Sequence, residues 1–418
     1  MGIVERYGES YRDDQLAVEL RDTALVMREL LAMNVVLANP GPPPASADLG
    51  LALIDLSNLA AGVRPLRDDP DLVAAAATAR AAPYRRDDPL PDIDLLLFAL
   101  RQRFRARYDG WVPTIGKNRP LAQIEGWPYI KGASGVLNPV SGPRIPARDG
   151  TPGPRVGILD TRIFAHPDLV GRFTGDTVAT LHPPVPSTLG HATFVAGLIL
   201  RRAPGADLVV RAVLDDEGGN DDSWDVATKI VAFRGAGVPV LNLSFGCATV
   251  DREAPLVLRR AIDRLGPDVV VVAAAGNHGE LGRDPDPDTG LTGRTPIWPA
   301  ALDGVVAVGA HDGHDPAHAK AGFSPHRAPW VDLLAPGVDE ESTFLTGDVS
   351  VLVRQEGKLV VEDTVDFAAG YATWRGTSFA AANVSGQLAA LMTGGRTARE
   401  ALASLPGGDI VAATDEER

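Results

Sequence analysis

Four polar residues stand at the ends of apolar runs. Asp160 closes RVGILD, His191 precedes TFVAGLIL, Asn277 closes VVVVAAAGN, and Ser378 opens the small-residue run GTSFAAANVSG. Together these types can carry out acyl transfer. A serine hydroxyl is a weak nucleophile until a neighbouring base takes its proton, and a neutral imidazole does this near neutral pH. A carboxylate holds the imidazole in one tautomer and stabilises the imidazolium. The tetrahedral intermediate carries an oxyanion that needs donors fixed in advance. A side-chain amide such as that of Asn277 suits this task, as does a backbone N–H at a helix N-terminus.

The surrounding elements must bring these four residues together. RVGILD (155–160), ADLVVRAVL (206–214), VPVLNLSFG (238–246), DVVVVAAAGN (268–277) and GVVAVGAHD (304–312) read as strands. TFVAGLIL (193–200), DSWDVATKIVAFRGAG (222–237), APLVLRRAIDRLG (254–266) and a segment from Ser378 to about Met392 read as helices. Apolar strands without alternation, separated by helices, predict an α/β fold, a doubly wound parallel sheet with helices on both faces. Right-handed crossovers then place a site at the carboxyl ends of the strands.

The segments VGILDTRIFAHPDL, GHATFVAG, LNLSFG, VVAAAGN and GTSFAAANVSG, in that order, resemble the subtilisin-like serine proteases, the subtilases. The resemblance runs over about residues 155–400. It implies a serine endopeptidase in which Asp160 orients the base, His191 is the general base and acid, Ser378 is the nucleophile and Asn277 donates to the oxyanion. It further implies that substrate lies as an added strand along Ser244, Phe245 and Gly246. Ala274, Ala275 and Gly276 would then line the pocket for the residue before the scissile bond. The implied partner is a peptide or protein substrate, with no cofactor required. The alternative from another class is a pseudoprotease that binds peptides without cutting them.

The chain departs from the family pattern in places. DTG is DTR, with Arg162 two residues after Asp160. GHGTHVAG is GHATFVAG, placing Ala192 and Phe194 on a helix, and GTSMAAPHVAG is GTSFAAANVSG. Phe194 lies one turn from His191 and is expected to face the core or a neighbouring helix. Ala382 in place of proline relieves the helix backbone. Arg162 beside Asp160 is expected to lower its pKa and weaken its hold on His191.

Residues 1–132 read as a mainly helical accessory domain. A helix is expected over Ala24–Ala38, ending before Pro40-Gly41. Asp69-Pro70 reads as an N-cap and first position of an Ala-rich helix. A further helix carries Ile93, Leu96, Leu97, Leu100, Phe104 and Tyr108 on one face and ends at Asp109-Gly110. Its other face holds Arg101, Arg103, Arg105 and Arg107, read as a solvated face that pairs with carboxylates. Residues 133–154, rich in Gly and Pro, read as a linker, 155–402 as the catalytic domain and 403–418 as a tail. Two roles are open for the N-terminal domain: a pro-segment or built-in inhibitor cleaved in the linker, or a docking site for a partner protein.

The 418 residues carry a formal charge of −14, which argues against nucleic acid and anionic membrane as partners. One cysteine, Cys247, excludes an intrachain disulfide framework and is read as a buried thiol. No run of 18 apolar residues is present, and MGIVERYGESYRDDQL lacks the basic and apolar regions of a signal peptide. The expectation is a cytoplasmic protein. The acidic loop 215–222, with Asp215, Asp216, Glu217, Asn220 and Asp222, reads as substrate-facing, with calcium a lesser possibility, as it is for 283–290. His311, His314 and His318 in HDGHDPAHAK have types that bind zinc or nickel, but are expected to lie in a surface loop.

Overall fold

The computed structural model describes the chain apart from residues 1–2, 7–8, 40, 80–89, 121, 124–136, 143–144, 149–152, 217–221, 250–252, 283, 285, 287–290, 316, 326, 356–357 and 415–418. It divides into two compact units. One comprises Met1–Pro120, Asp222–Val231 and Ala248–Arg264. The other comprises Leu121–Asp221, Ala232–Cys247 and Leu265–Arg418.

The second unit is built on an eight-stranded sheet. Its strands, in spatial order, are Phe173–Gly175, Asp207–Ala212, Arg155–Asp160, Val240–Leu243, Val270–Ala274, Val305–His311, Leu333–Pro336 and Val411–Ala412. All neighbours pair in parallel except the last two. Every residue of Val240–Leu243, Val270–Ala274 and Val305–His311 is buried, which accounts for apolar runs without alternation. The α/β fold class is therefore as expected. The helix Thr377–Leu391 packs against five of these strands and is itself buried over Thr377–Gly386. Its small residues allow close approach to the helix His191–Arg202: a Cβ on Gly386 would lie 2.9 Å from the Ile199 carbonyl oxygen.

Several expectations need correction here. The tail is not separate, since Val411–Ala412 pairs antiparallel with Leu333–Leu334 and completes the sheet. The linker is not free either, since Asn138–Pro139 forms a strand beside Ala372–Thr373. Sequence reading also missed the strand Leu333–Pro336 and the hairpin of Asp348–Gln355 with Lys358–Asp366.

The first unit mixes helices with an antiparallel sheet that the sequence pattern does not announce. Helices Thr23–Ala32, Leu59–Arg67, Pro70–Ala79 and Asp92–Arg107 accompany a five-stranded antiparallel sheet of Val36–Leu37, Leu51–Ser57, Gln15–Glu19 and Ile115–Lys117 in order, with Ala45–Ser46 also paired to Leu51–Ser57. Leu30, Leu96, Leu100 and Phe104 share its apolar core. Asn34 at φ 58° ends the expected Ala24–Ala38 helix early, and Val36–Leu37 turns to strand. Asp69 caps as expected, its Oδ1 accepting from the N–H groups of Asp71 and Leu72. Arg103 and Arg107 pair with Glu29, and Arg101 donates to the Ile115 carbonyl, so part of the basic face is paired within the unit. Among the described residues no helix is long and apolar enough to cross a membrane.

Candidate active site

Asp160 ends its strand fully buried, and His191 opens its helix with 2% exposure. The His191 Nδ1 lies 2.9 Å from Asp160 Oδ1 and 2.8 Å from Oδ2. A carboxylate only accepts, so Nδ1 carries the proton and Nε2 is left as the basic nitrogen. Asp160 Oδ1 also accepts the Thr161 N–H at 2.7 Å, which ties the carboxylate to its own turn.

Ser378 is the second residue of its helix, 1% exposed, and its Oγ has no hydrogen-bond partner. A buried hydroxyl left unpaired is costly and uncommon. Its backbone is held instead: the Ser244 hydroxyl donates to the Ser378 carbonyl at 3.3 Å. Ser244 in turn accepts from Asn242 Nδ2 at 2.9 Å, and Asn242 Oδ1 accepts from Ser385 at 3.0 Å. This buried chain ties the strand Val240–Leu243 to the helix bearing Ser378. Sequence reading missed Asn242 and Ser385; the LNLS run was legible only as substrate strand.

Asn277 follows the strand Val270–Ala274. Its Oδ1 accepts from the Thr377 N–H at 2.9 Å and from the Thr377 hydroxyl at 3.0 Å. That fixes which way the amide faces, and Nδ2 lies toward Gly376, 3.3 Å from where a Cβ would stand. Thr377 also accepts the Gly276 N–H at 3.1 Å. Gly276 adopts φ +113°, which disfavours any side chain, and Ala274 and Ala275 beside it are fully buried. Thr377, unremarked in the sequence, thus links Gly276 of the expected pocket and Asn277, the expected oxyanion donor, to the Ser378 helix.

Phe245 and Gly246 form a short strand whose antiparallel partner is Ala122–Gln123, with Gln123 opposite Phe245 and Ala122 opposite Gly246. A cavity of about 390 Å³ lies beside the Asp160 turn and the segment before His191. Arg162, Val178, Leu181, Pro186, Leu189 and Asp216 are among its lining residues.

The subtilase family model matches residues 151–400. The chain belongs to the subtilase family. It is 31% identical over 260 residues to a thermophilic serine proteinase of Bacillus sp. strain AK1, covering 59% of this chain and 54% of that protein. Subtilisin E of Bacillus subtilis is 28% identical over 249 residues, covering 57% and 55% respectively. The chain spans about half the length of the curated relatives it matches. Among solved structures, fervidolysin from Fervidobacterium pennivorans, a keratinolytic enzyme related to subtilisin, aligns with a TM-score of 0.54 at 20% identity. That alignment covers 93% of this chain and 56% of fervidolysin, a likeness of fold.

Against the subtilase pattern, the departures acquire physical reasons. Phe194 is buried as expected and packs on Phe379 and Trp374, with centroids at 4.4 and 5.7 Å. Trp374 and Phe379 also flank the His191 ring, at 5.6 and 5.5 Å. Arg162, expected to act on Asp160, is itself paired with a carboxylate. Its guanidinium is engaged by Asp216, with Nε at 3.1 Å from Oδ1 and Nη2 at 2.5 Å from Oδ2, and that bond holds its pKa above the usual arginine value. Asp216 is therefore an ion-pair partner, and Asp222 accepts from the N–H groups of Trp224 and Asp225 at the start of a helix. Glu217 and Asn220 lie outside the described residues, as does much of 283–290. Cys247 is half-buried rather than buried.

Proposed function

We propose that this subtilase is a serine endopeptidase acting through Asp160, His191 and Ser378. The observation that carries the reading is the pairing of His191 Nδ1 with both Asp160 oxygens in a buried turn. With Nδ1 so held, Nε2 takes the proton of Ser378 Oγ as that oxygen attacks the peptide carbonyl. It then returns the proton to the leaving amine, and repeats both steps with water to release the acyl group. The Asn277 amide and the Ser378 N–H at the helix start are the donors for the oxyanion. The retained Asp–His pair gives the pseudoprotease alternative no support.

Residues N-terminal to the catalytic sheet act as a built-in inhibitor in this reading. The strand along Phe245–Gly246 is where the family resemblance lays substrate, and Ala122–Gln123 pairs with it antiparallel. A segment seated there excludes other peptides, which supports restrained activity and narrow specificity over partner docking.

A fluorophosphonate probe tests the chemistry. The full chain should become labelled, Ser378→Ala should not, and a form cleaved between residues 133 and 154 should label faster. A wild-type chain that stays unlabelled both intact and cleaved in that region sinks the reading.

A further inference from the structure

His311 ends the strand Val305–His311 and is fully buried. The surface-loop expectation for the histidine cluster therefore holds for His314, which is exposed, but not for His311. The His311 Nε2 lies 2.7 Å from the Asp409 carbonyl oxygen. A carbonyl only accepts, so the proton is on Nε2, and Nδ1 presents a bare lone pair. That Nδ1 is buried with no hydrogen-bond partner.

A second imidazole comes to it. The His318 ring lies 4.7 Å away, centroid to centroid, at 61°, and its Nδ1 is likewise buried and unpartnered. Two orphaned ring nitrogens on adjacent histidines need an explanation, since each forfeits the hydrogen bond it had in water.

We propose that His311 and His318 clamp one first-row divalent cation between their Nδ1 atoms, of the zinc, nickel or copper class that imidazole favours. The spacing fits. With metal–nitrogen bonds of about 2.0–2.1 Å, the two ring centres would stand about 4.5 Å apart at a right angle and about 5.2 Å apart at the tetrahedral angle. The observed 4.7 Å falls between these. The bond from His311 Nε2–H to a backbone carbonyl is the outer-shell contact that metal-binding histidines make, fixing tautomer and ring orientation. Asp312 and Asp315 share the loop and favour a cation there, although their oxygens already accept backbone N–H groups. Among the described residues no third side-chain ligand joins the pair, so water completes the shell.

The bound ion would tie the loop after residue 311 to the end of its strand. Through the Asp409 carbonyl it would also brace the segment that supplies Val411–Ala412 to the sheet. The role is stabilising and independent of the peptidase chemistry.

The test is titration of the EDTA-stripped full chain with Zn²⁺ and Ni²⁺, followed by calorimetry and thermal unfolding. One ion per chain should bind and raise the melting temperature. His318→Asn, at a half-buried position with φ +50° that Asn tolerates, should weaken binding by at least about tenfold while circular dichroism stays unchanged. His314→Asn should bind as wild type does. Copper(II) bound to the wild type should show two nitrogen couplings in its electron paramagnetic resonance spectrum, and one in His318→Asn. Failure of the wild type to bind, full binding by His318→Asn, or loss of binding in His314→Asn would each overturn the proposal.

Discussion

The rings of Phe194 and Phe379 lie 4.4 Å apart, tilted by 44°, and both are buried. Each occupies a position where the subtilase pattern carries another residue, and they contact each other. The two departures therefore read as one packing solution, with Trp374 as the third ring. Phe379 also touches the His191 ring, so this cluster sets how the imidazole sits. Either Phe→Ala should cost about 3–5 kcal/mol of stability. The two losses should not add, because an aromatic pair contributes about 0.5–1.5 kcal/mol beyond area. Denaturant unfolding of both single variants and the double variant gives the coupling; strict additivity would mean the rings are independent.

Arg162→Gly restores the residue found in the family pattern. Since Arg162 pairs with Asp216 and both are substantially exposed, the ion pair contributes little. Peptidase kcat and stability should both change by no more than about twofold or 1 kcal/mol. A large gain in kcat would revive the idea that the cation weakens Asp160.

Legibility followed the range of the interactions. RVGILD was readable as a strand because burial on both faces leaves an unbroken apolar run, and its boundaries match residue for residue. Asp160 and Asn277 stand out in the sequence because each closes such a run, and His191 and Ser378 because each stands at the start of a run that forms a helix. What escaped depends on distant partners. Nothing near Asn242 in the chain announces its bonds to Ser244 and Ser385, and nothing near Arg162 announces Asp216. Val411–Ala412 is a strand only because Leu333–Leu334 offers an edge. The sheet of the first unit escapes for the same reason, since Gln15–Glu19 pairs with Leu51–Ser57 and Ile115–Lys117 far along the chain.

Acid should weaken the fold partly through His166. Burial pushes its pKa below the ordinary 6.5, against the opposing pull of Asp168, and its Nδ1 accepts the Asp168 N–H at 3.1 Å. The unfolded chain thus binds the proton more readily than the folded one, so stability rises with pH in that range. The contribution is complete above 6.5 and is lost as pH falls below that value. His166→Asn keeps an acceptor at the cap without a titrating ring. Its melting temperature should fall less than that of wild type between pH 7 and pH 5, by differential scanning calorimetry.

Asn242→Ala removes the centre of the chain from Ser385 to Ser244 and leaves two buried hydroxyls short of partners. The cost should be about 1–3 kcal/mol. Because Ser244 holds the Ser378 carbonyl, kcat should fall as well. Unchanged kcat in a destabilised variant would confine Asn242 to a structural role.

Asn277 and Thr377 separate the donor from the group that aims it. Asn277→Ala deletes the proposed oxyanion donor and should lower kcat by about 10²–10³, the loss measured for single donors of this kind, subtilisin's among them. Thr377→Val removes only the hydroxyl, leaving the Thr377 N–H to hold Asn277 Oδ1. It also strips the acceptor from the Gly276 N–H. Its kcat should therefore fall by less than that of Asn277→Ala, with KM rising in keeping with the proposed place of Gly276 in the pocket wall. The double variant should be close to Asn277→Ala alone in kcat, since an aiming group has nothing left to aim. Steady-state kinetics on one peptide substrate, with active sites counted by the fluorophosphonate probe, distinguishes this order from two independent losses that multiply.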